Sequence, residues 1–344
     1  MDPFDMMRRF APKTNHELPE GLGYKLLIQP ILHQRFQSAM FQIAEQHHRR
    51  RQYGQADGLL ITGLSGAGKS TIIHTYCNEF PRTYEAQRTV IPVLLVPVPS
   101  SPTSRSLAAA ILEAMGDRKS HVGTGPEKTT RLRELFQRCG VEMLFLDEFQ
   151  HLLFAPNANA YRDVIDWLKN LLEGTHTGLV GCGLPIAEQA VKSNEQLTRR
   201  FSPVFSIKPF SQDVEDDFKE YRGILKVLET CLPLPSEVPL FEANLARRMH
   251  VASYGLLDYT IKILEGAVSA AGRAGIKSIA LDVLAAGFRE RVWRDVPDRL
   301  NPFHPESPLR PLDQYGEVFF QHTQLDTTGS PVAAKLGLRS KRGT

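Results

Sequence analysis

The stretch Gly63-Leu64-Ser65-Gly66-Ala67-Gly68-Lys69-Ser70 constrains this chain more than any other. It satisfies G-x-x-x-x-G-K-[ST] at every position. An apolar run, GLLIT, leads into it, and a helical pattern, TIIHTYCNEF, leads out. A strand therefore ends and a helix begins around a glycine-rich turn. Glycines admit positive φ and let the backbone come close to an anion. The N–H groups of the turn and the helix N-terminus then bind a polyphosphate. Lys69 reaches the β- and γ-phosphates, and Ser70 offers its hydroxyl to Mg²⁺. The nucleotide-binding set is Gly63, Ser65, Gly66, Ala67, Gly68, Lys69, Ser70 and Thr71.

A second signal follows in Val141-Glu142-Met143-Leu144-Phe145-Leu146, which runs into Asp147-Glu148. Buried parallel strands read as apolar runs, and two acids at the end of one are costly unless they are used. Asp147 is the candidate Mg²⁺ ligand. Glu148 is the candidate general base for an attacking water. The sequence has no N-K-x-D or T-K-x-D segment of the kind that reads guanine. With an adjacent Asp-Glu pair, that favours an ATP hydrolase over a GTPase or a small-molecule kinase. A third signal is Leu197-Thr198-Arg199-Arg200-Phe201. An arginine there suits a subunit edge, from which it reaches a neighbour's γ-phosphate. Arg200 is favoured over Arg199, and a solvated helix end is the competing reading. The catalytic set is thus Glu148, Arg200 and Lys69.

Around these motifs short apolar runs (59–62, 90–98, 141–146, 179–180 and 204–207) alternate with helical patterns (69–79, 105–115, 127–138, 160–173 and 185–200). Such alternation predicts an α/β fold, a mostly parallel five-stranded sheet with helices on both faces. Residues 1–21 carry Pro3, Pro12 and Pro19 and read as a mobile arm. A helical pattern over 25–46 precedes a basic cluster, His47 to Arg51, either a solvated helix end or a phosphate-contacting patch. The texture changes near residue 210, so the nucleotide-binding core is expected over 22–210 and a small helical lid over 211–295. Residues 296–344 are rich in proline and end in Lys335, Arg339, Lys341 and Arg342. They are expected to be extended or disordered, without a core of their own.

Composition narrows the partners. Lys plus Arg total 41 against 38 Asp plus Glu, a net +3 over 344 residues, so the chain is neither a polycation nor an acidic solvating chain. Nucleic-acid contact must use local patches. The four cysteines, Cys77, Cys139, Cys182 and Cys231, stand singly, which argues against a zinc ribbon or redox dithiol and fits a reducing compartment. The histidines lack ligand spacing, so no metal site other than that for Mg²⁺ is expected. No apolar stretch is long enough to span a bilayer and no signal peptide is visible, so the expectation is a cytoplasmic protein without a membrane partner. The stripe Val164, Trp167, Leu168, Leu171 and Leu172 reads as helix packing.

In order, these are a phosphate loop, an Asp-Glu strand, a further strand, Arg-Arg-Phe and a helical region. That order resembles the AAA+ P-loop NTPase module. The segments ITGLSGAGKSTII, CGVEMLFLDEFQHLL, GLVGCGLP and EQLTRRF resemble the TniB/TnsC family of transposition ATPases, DEFQHL being the most specific. The resemblance covers roughly residues 22–292. It implies an ATP-dependent regulator of DNA transposition that forms rings or helical filaments, as a homo-oligomer, on double-stranded DNA. It implies a link between a target-selecting protein and the transposase, with hydrolysis as the disassembly or timing switch. Gln150, just after the general base, would couple nucleotide state to neighbours. The chain departs from AAA+ patterns in two places. The sensor-1 position falls near Cys182, and the turn Tyr254-Gly255-Leu256-Leu257-Asp258 lacks a sensor-2 arginine. Both departures fit slow hydrolysis.

DNA contact is carried by 116–133, GDRKSHVGTGPEKTTRLR, a region that often faces the pore of AAA+ assemblies. Lys119, Thr129 and Arg131 are the candidates for following a phosphate backbone, against the alternative of a solvated loop. Two other functions remain open: a different DNA-handling AAA+ ATPase, such as an initiator or helicase loader, and a nucleotide-dependent adaptor whose hydrolysis is incidental. An initiator would usually append a helix-turn-helix domain after the lid.

Overall fold

Strand β1 (Gly58–Gly63) is buried at all six positions. Its side chains divide by parity, Leu60 entering one core while Leu59 and Ile61 enter another. This is the behaviour of a strand covered on both faces. The computed structural model describes residues 25–26, 30–54, 58–192 and 195–323. The expected arm, 1–21, and the basic end of the tail, 324–344, lie outside the described residues.

The chain order is α1 (Gln34–Tyr53), β1, α2 (Lys69–Glu79), a small hairpin of β2 (Thr83–Tyr84) and β3 (Thr89–Val90), β4 (Val93–Pro97), α3 (Ser104–Ala114) and α4 (Gly125–Cys139). Then come β5 (Met143–Asp147), a 3-10 turn (Phe149–Phe154), α5 (Ala158–Thr175), β6 (Gly178–Gly183), α6 (Ile186–Lys192), α7 (Glu195–Arg200) and β7 (Phe201–Ile207). The five main strands pair in parallel in the order β4-β5-β6-β1-β7. Helices α1 and α2 cover one face, and α3 to α7 cover the other. The five apolar runs have become the five strands, and the first four helical patterns are α2 to α5. The fifth pattern, 185–200, is two short helices, α6 and α7.

Both α3 and α4 start on reciprocal capping boxes, Thr103 with Ser106 and Thr124 with Glu127. Each satisfies backbone donors that a helix start otherwise leaves orphaned. The basic cluster falls inside α1 rather than after it. There His47 is fully buried, with its Nε2–H donated to Glu142 at 2.6 Å and its Nδ1 2.8 Å from the Tyr76 hydroxyl. Burial holds the His47 pKa below its ordinary value, opposed by the hydrogen bond to Glu142. Arg51 also pairs with Glu142, at 2.6 Å. These groups bind the start of β5 to α1 and α2.

Four further helices follow the sheet: α8 (Glu215–Thr230), α9 (Ala243–Ser253), α10 (Leu257–Ala274) and α11 (Leu281–Arg291). They share a separate core in which the buried Tyr221 hydroxyl meets Ser253 and Thr260. The proline-rich continuation departs from expectation. Residues 296–323 wrap the helices, burying Phe303, Leu312 and Phe319 in the same core. Arg248 fastens this strap by donating to the carbonyls of Pro302 and His304 at 2.7 and 2.9 Å. Prolines bar regular helix here but leave the aromatic residues between them free to pack. Leu26, ahead of α1, is buried in this core too. Among the described residues no helix is long and apolar enough to cross a membrane.

Candidate active site

The strand order sets the site. Because β6 lies between β1 and β5, the end of β6 separates the glycine-rich turn after β1 from the acids after β5. Ligands of open parallel sheets gather at this carboxyl edge. Gly66 and Gly68 take φ of 80° and 89°, so the turn folds back before α2 begins at Lys69. The Lys69 ammonium donates to the carbonyls of Gly63 and Leu64, each at 2.9 Å. Burial lowers its pKa, opposed by Cys182, Glu148 and Asp147 nearby. Ser65, Ser70 and Thr71 are exposed along the outer side of the turn, ready to face a ligand.

Asp147 is half-buried, and burial raises its pKa. Its Oδ1 accepts the Glu148 backbone N–H at 2.9 Å. Glu148 has φ 55° and ψ 41°, a left-handed conformation that costs a non-glycine residue on the order of 1 kcal/mol or more. The bend ends the strand and leaves the Glu148 carboxylate exposed while Phe149 and Gln150 turn inward. Gln150 is buried, donates its amide to Glu148, and accepts the Leu184 N–H at 3.0 Å. A Cβ at Gly183 would lie 2.5 Å from Gln150 Oε1, so glycine at the end of β6 makes room for this bridge. Cys182 sits beside Lys69, Asp147 and Glu148, and burial pushes its thiol up to about 12. It is neutral at ordinary pH and contributes no charge.

The half-buried Asp147 carboxylate near Lys69 and the exposed Ser70 hydroxyl at the start of α2 are oxygen donors of the kind a hard divalent ion takes. Ser70 and Asp147 therefore suit Mg²⁺, and the glycine turn with Lys69 suits a nucleotide polyphosphate.

The sequence motifs do not announce the other half of the nucleotide pocket. A cavity of about 120 Å³ opens behind the turn, between Gly66 to Gly68 and the lid. Ile31 and His33 wall it from one side, and Ile224, Leu257 and Ile261 from the other. An apolar slot against the phosphate loop suits a base. The first turn of α1 is tied to the lid: Arg35 pairs with Asp217 at 2.7 Å and stacks on the Phe210 ring at 3.9 Å. His33 caps α1 by accepting the Phe36 N–H, and burial followed by the Arg35 charge lowers its pKa to about 4.

The remaining predicted residues stand away from this pocket. The Arg200 side chain is 12% exposed and lies 3.7 Å from Glu173, whereas Arg199 is 79% exposed and pairs with Glu195. Lys119 is exposed on the turn between α3 and α4. Arg131 braces that turn through Asp117 at 3.0 Å and the carbonyls of Lys119 and Val122. Thr129 donates to Gly125 and accepts the Trp167 indole N–H at 2.8 Å. Arg131 thus shapes the turn that presents Lys119, whereas Thr129 ties α4 to α5.

Comparison with known proteins agrees with this geometry. The family model described as "TniB: Bacterial TniB protein" matches residues 29–211. No curated protein sequence matches the chain. Among solved structures, the Aeropyrum pernix ORC2 protein with ADPNP and ADP superposes with a TM-score of 0.56 at 16% identity, covering 83% of this chain and 74% of that one. The Aeropyrum pernix ORC1 protein in complex with DNA gives 0.52 at 17% identity, covering 76% and 66%. Drosophila ORC bound to DNA gives 0.50 at 14% identity, covering 84% and 73%. At these identities the likeness is one of fold, and the fold is that of AAA+ ATPases.

Proposed function

The chain belongs to the TniB family, and from that premise we propose that it is an ATP-hydrolysing regulator of DNA transposition that assembles on double-stranded DNA. One observation carries the nucleotide half: the Lys69 turn stands across the end of β6 from Asp147 and Glu148. The likeness to ORC proteins solved with nucleotide or with DNA supports the reading at the level of fold.

In the proposed mechanism the glycine turn grips the polyphosphate with its N–H groups, and Lys69 leaves the Gly63 and Leu64 carbonyls for the β- and γ-phosphates. Ser70 and Asp147 hold Mg²⁺, which supplies charge to neutralise the phosphate oxygens. Glu148 takes the proton from the attacking water, and Gln150 keeps that carboxylate aimed. Arg200 of an adjacent subunit completes the site in a ring or helical filament, which requires Arg200 to leave Glu173. Lys119 follows the DNA backbone, with Thr129 and Arg131 behind it. The transposase and a target-selecting protein are the partners, and ATP hydrolysis is the disassembly or timing switch. The neutral thiol of Cys182 at the sensor-1 position supports slow turnover.

Electron microscopy of the protein with 60-base-pair DNA tests the reading. Rings or filaments are expected with a slowly hydrolysed ATP analogue and not with ADP. No assembly in either state would sink the DNA-filament claim. Changing Glu148 to Gln separates a timed switch, which locks in its assembled state, from an adaptor, which is unaffected.

A further inference from the structure

One lysine of α4 is turned inward, where a solvated helix face would turn it out. Lys128 is 1% exposed, and its ammonium donates to the Ser120 carbonyl and, at 3.2 Å, to the Val122 carbonyl. Both partners are backbone carbonyls rather than carboxylates. Arg131, three positions on and so on the same face of α4, takes the Lys119 carbonyl at 3.1 Å and shares the Val122 carbonyl at 2.9 Å. The turn between α3 and α4 therefore closes around two cations of α4. Arg118, Lys119 and His121 are exposed on its outer side.

An ammonium is costly to bury, and an apolar side chain would fill the same place more cheaply. It could not, however, hold two carbonyls of a turn. Lys128 does for this turn what a bound cation does for other loops: it gathers carbonyl oxygens and fixes the course of the chain between them. Ser120, one of the two residues so held, directly follows Lys119. We propose that Lys128 is a positioning residue for the DNA contact, its ammonium fixing the direction in which Lys119 is offered to a backbone phosphate. A contact group set in place beforehand gives up less freedom on binding, so the held turn binds more tightly than a loose loop of equal charge. This inference rests on the reading of Lys119 as a DNA contact given above.

The test is binding of the full chain to fluorescent 60-base-pair DNA over a range of salt, with a slowly hydrolysed ATP analogue present. Lys128→Met keeps the apolar stem and removes the donors. It is expected to weaken DNA binding about tenfold and to lower the salt slope by about one, as Lys119→Ala does, while analogue affinity stays within about twofold. The double variant should bind no more weakly than Lys119→Ala alone, because Lys128 acts through Lys119. Lys128→Gln, which keeps a donor without the charge, gives the same comparison if Lys128→Met does not fold. Unchanged DNA binding, losses that add in the double variant, or weaker analogue binding with the salt slope intact would overturn the proposal. So would failure of both Lys128 variants to fold, which would make the residue one of the core alone. If Lys119→Ala weakens DNA binding and Lys128→Met does not, the DNA contact stands and only the positioning falls. If Lys119→Ala leaves affinity and slope unchanged, the DNA contact itself is misplaced and the proposal falls with it.

Discussion

Strand β5 carries glutamates at both ends, and they are treated in opposite ways. Glu142, just ahead of the strand, is tied to His47 and Arg51. Burial pushes its pKa up, yet those hydrogen bonds bring it down to about 2. Glu148, just after the strand, is thrown outward by a left-handed backbone and touches Gln150. The two lie six positions apart on one rigid element. Residue type alone therefore says little about chemistry. A carboxylate already engaged by cations is a fastener, and one kept aimed and accessible is a reagent.

Exchanging these roles by mutation should give opposite signatures. The largest effect belongs to Glu148→Gln, which removes the base and preserves shape. Phosphate release should fall on the order of 10³-fold, with analogue binding and melting temperature unchanged. Unchanged turnover would break the contrast at once. Glu142→Ala should do the reverse, leaving His47 and Arg51 without their acid. Denaturant unfolding should report a loss of about 2–3 kcal/mol, and nucleotide affinity below the melting range should persist.

A smaller effect comes from His33, whose pKa is lowered from 6.5 to about 4 while the unfolded chain titrates normally. The unfolded state therefore binds the extra proton between those values. Stability present above pH 6.5 is lost as pH falls towards 4, on the order of 3 kcal/mol. Melting curves across that window should flatten in His33→Gln. Persistence of the full slope would place the titration elsewhere. The smallest effect is Gln150→Ala, expected to slow hydrolysis about tenfold by loosening Glu148 without removing it. Loss as deep as that of Glu148→Gln would make Gln150 part of the chemistry rather than its support.

What the sequence made legible follows from locality. A phosphate turn consists of eight consecutive residues whose backbone makes the site, so the motif carries its own geometry. The Asp147-Glu148 step is equally local. The apolar slot behind the turn joins Ile31 and His33 to Ile224, Leu257 and Ile261, ordinary residues that only the folded chain brings together. No spacing rule announces them. His47 illustrates the same limit, because a basic run on paper conceals one member turned inward to Tyr76 and Glu142. The strap after residue 295 was obscured for a different reason. Proline content argues against regular structure, but not against packing, and Phe303 and Phe319 pack without it.

The core of the lid draws on Leu26, which precedes α1, and on Phe319, near the far end of the strap. A ribosome releases the first of these long before the second. During synthesis the sheet has all its strands once β7 has emerged, whereas the lid waits for the strap. Contacts of such sequence separation are slow to form, and exposed apolar surface in the interval invites misassembly. Nascent chains thus pass through a stage in which the phosphate turn is made but its apolar slot is still open on the lid side. Emergence of the strap, rather than formation of the sheet, is what completes the core of the lid.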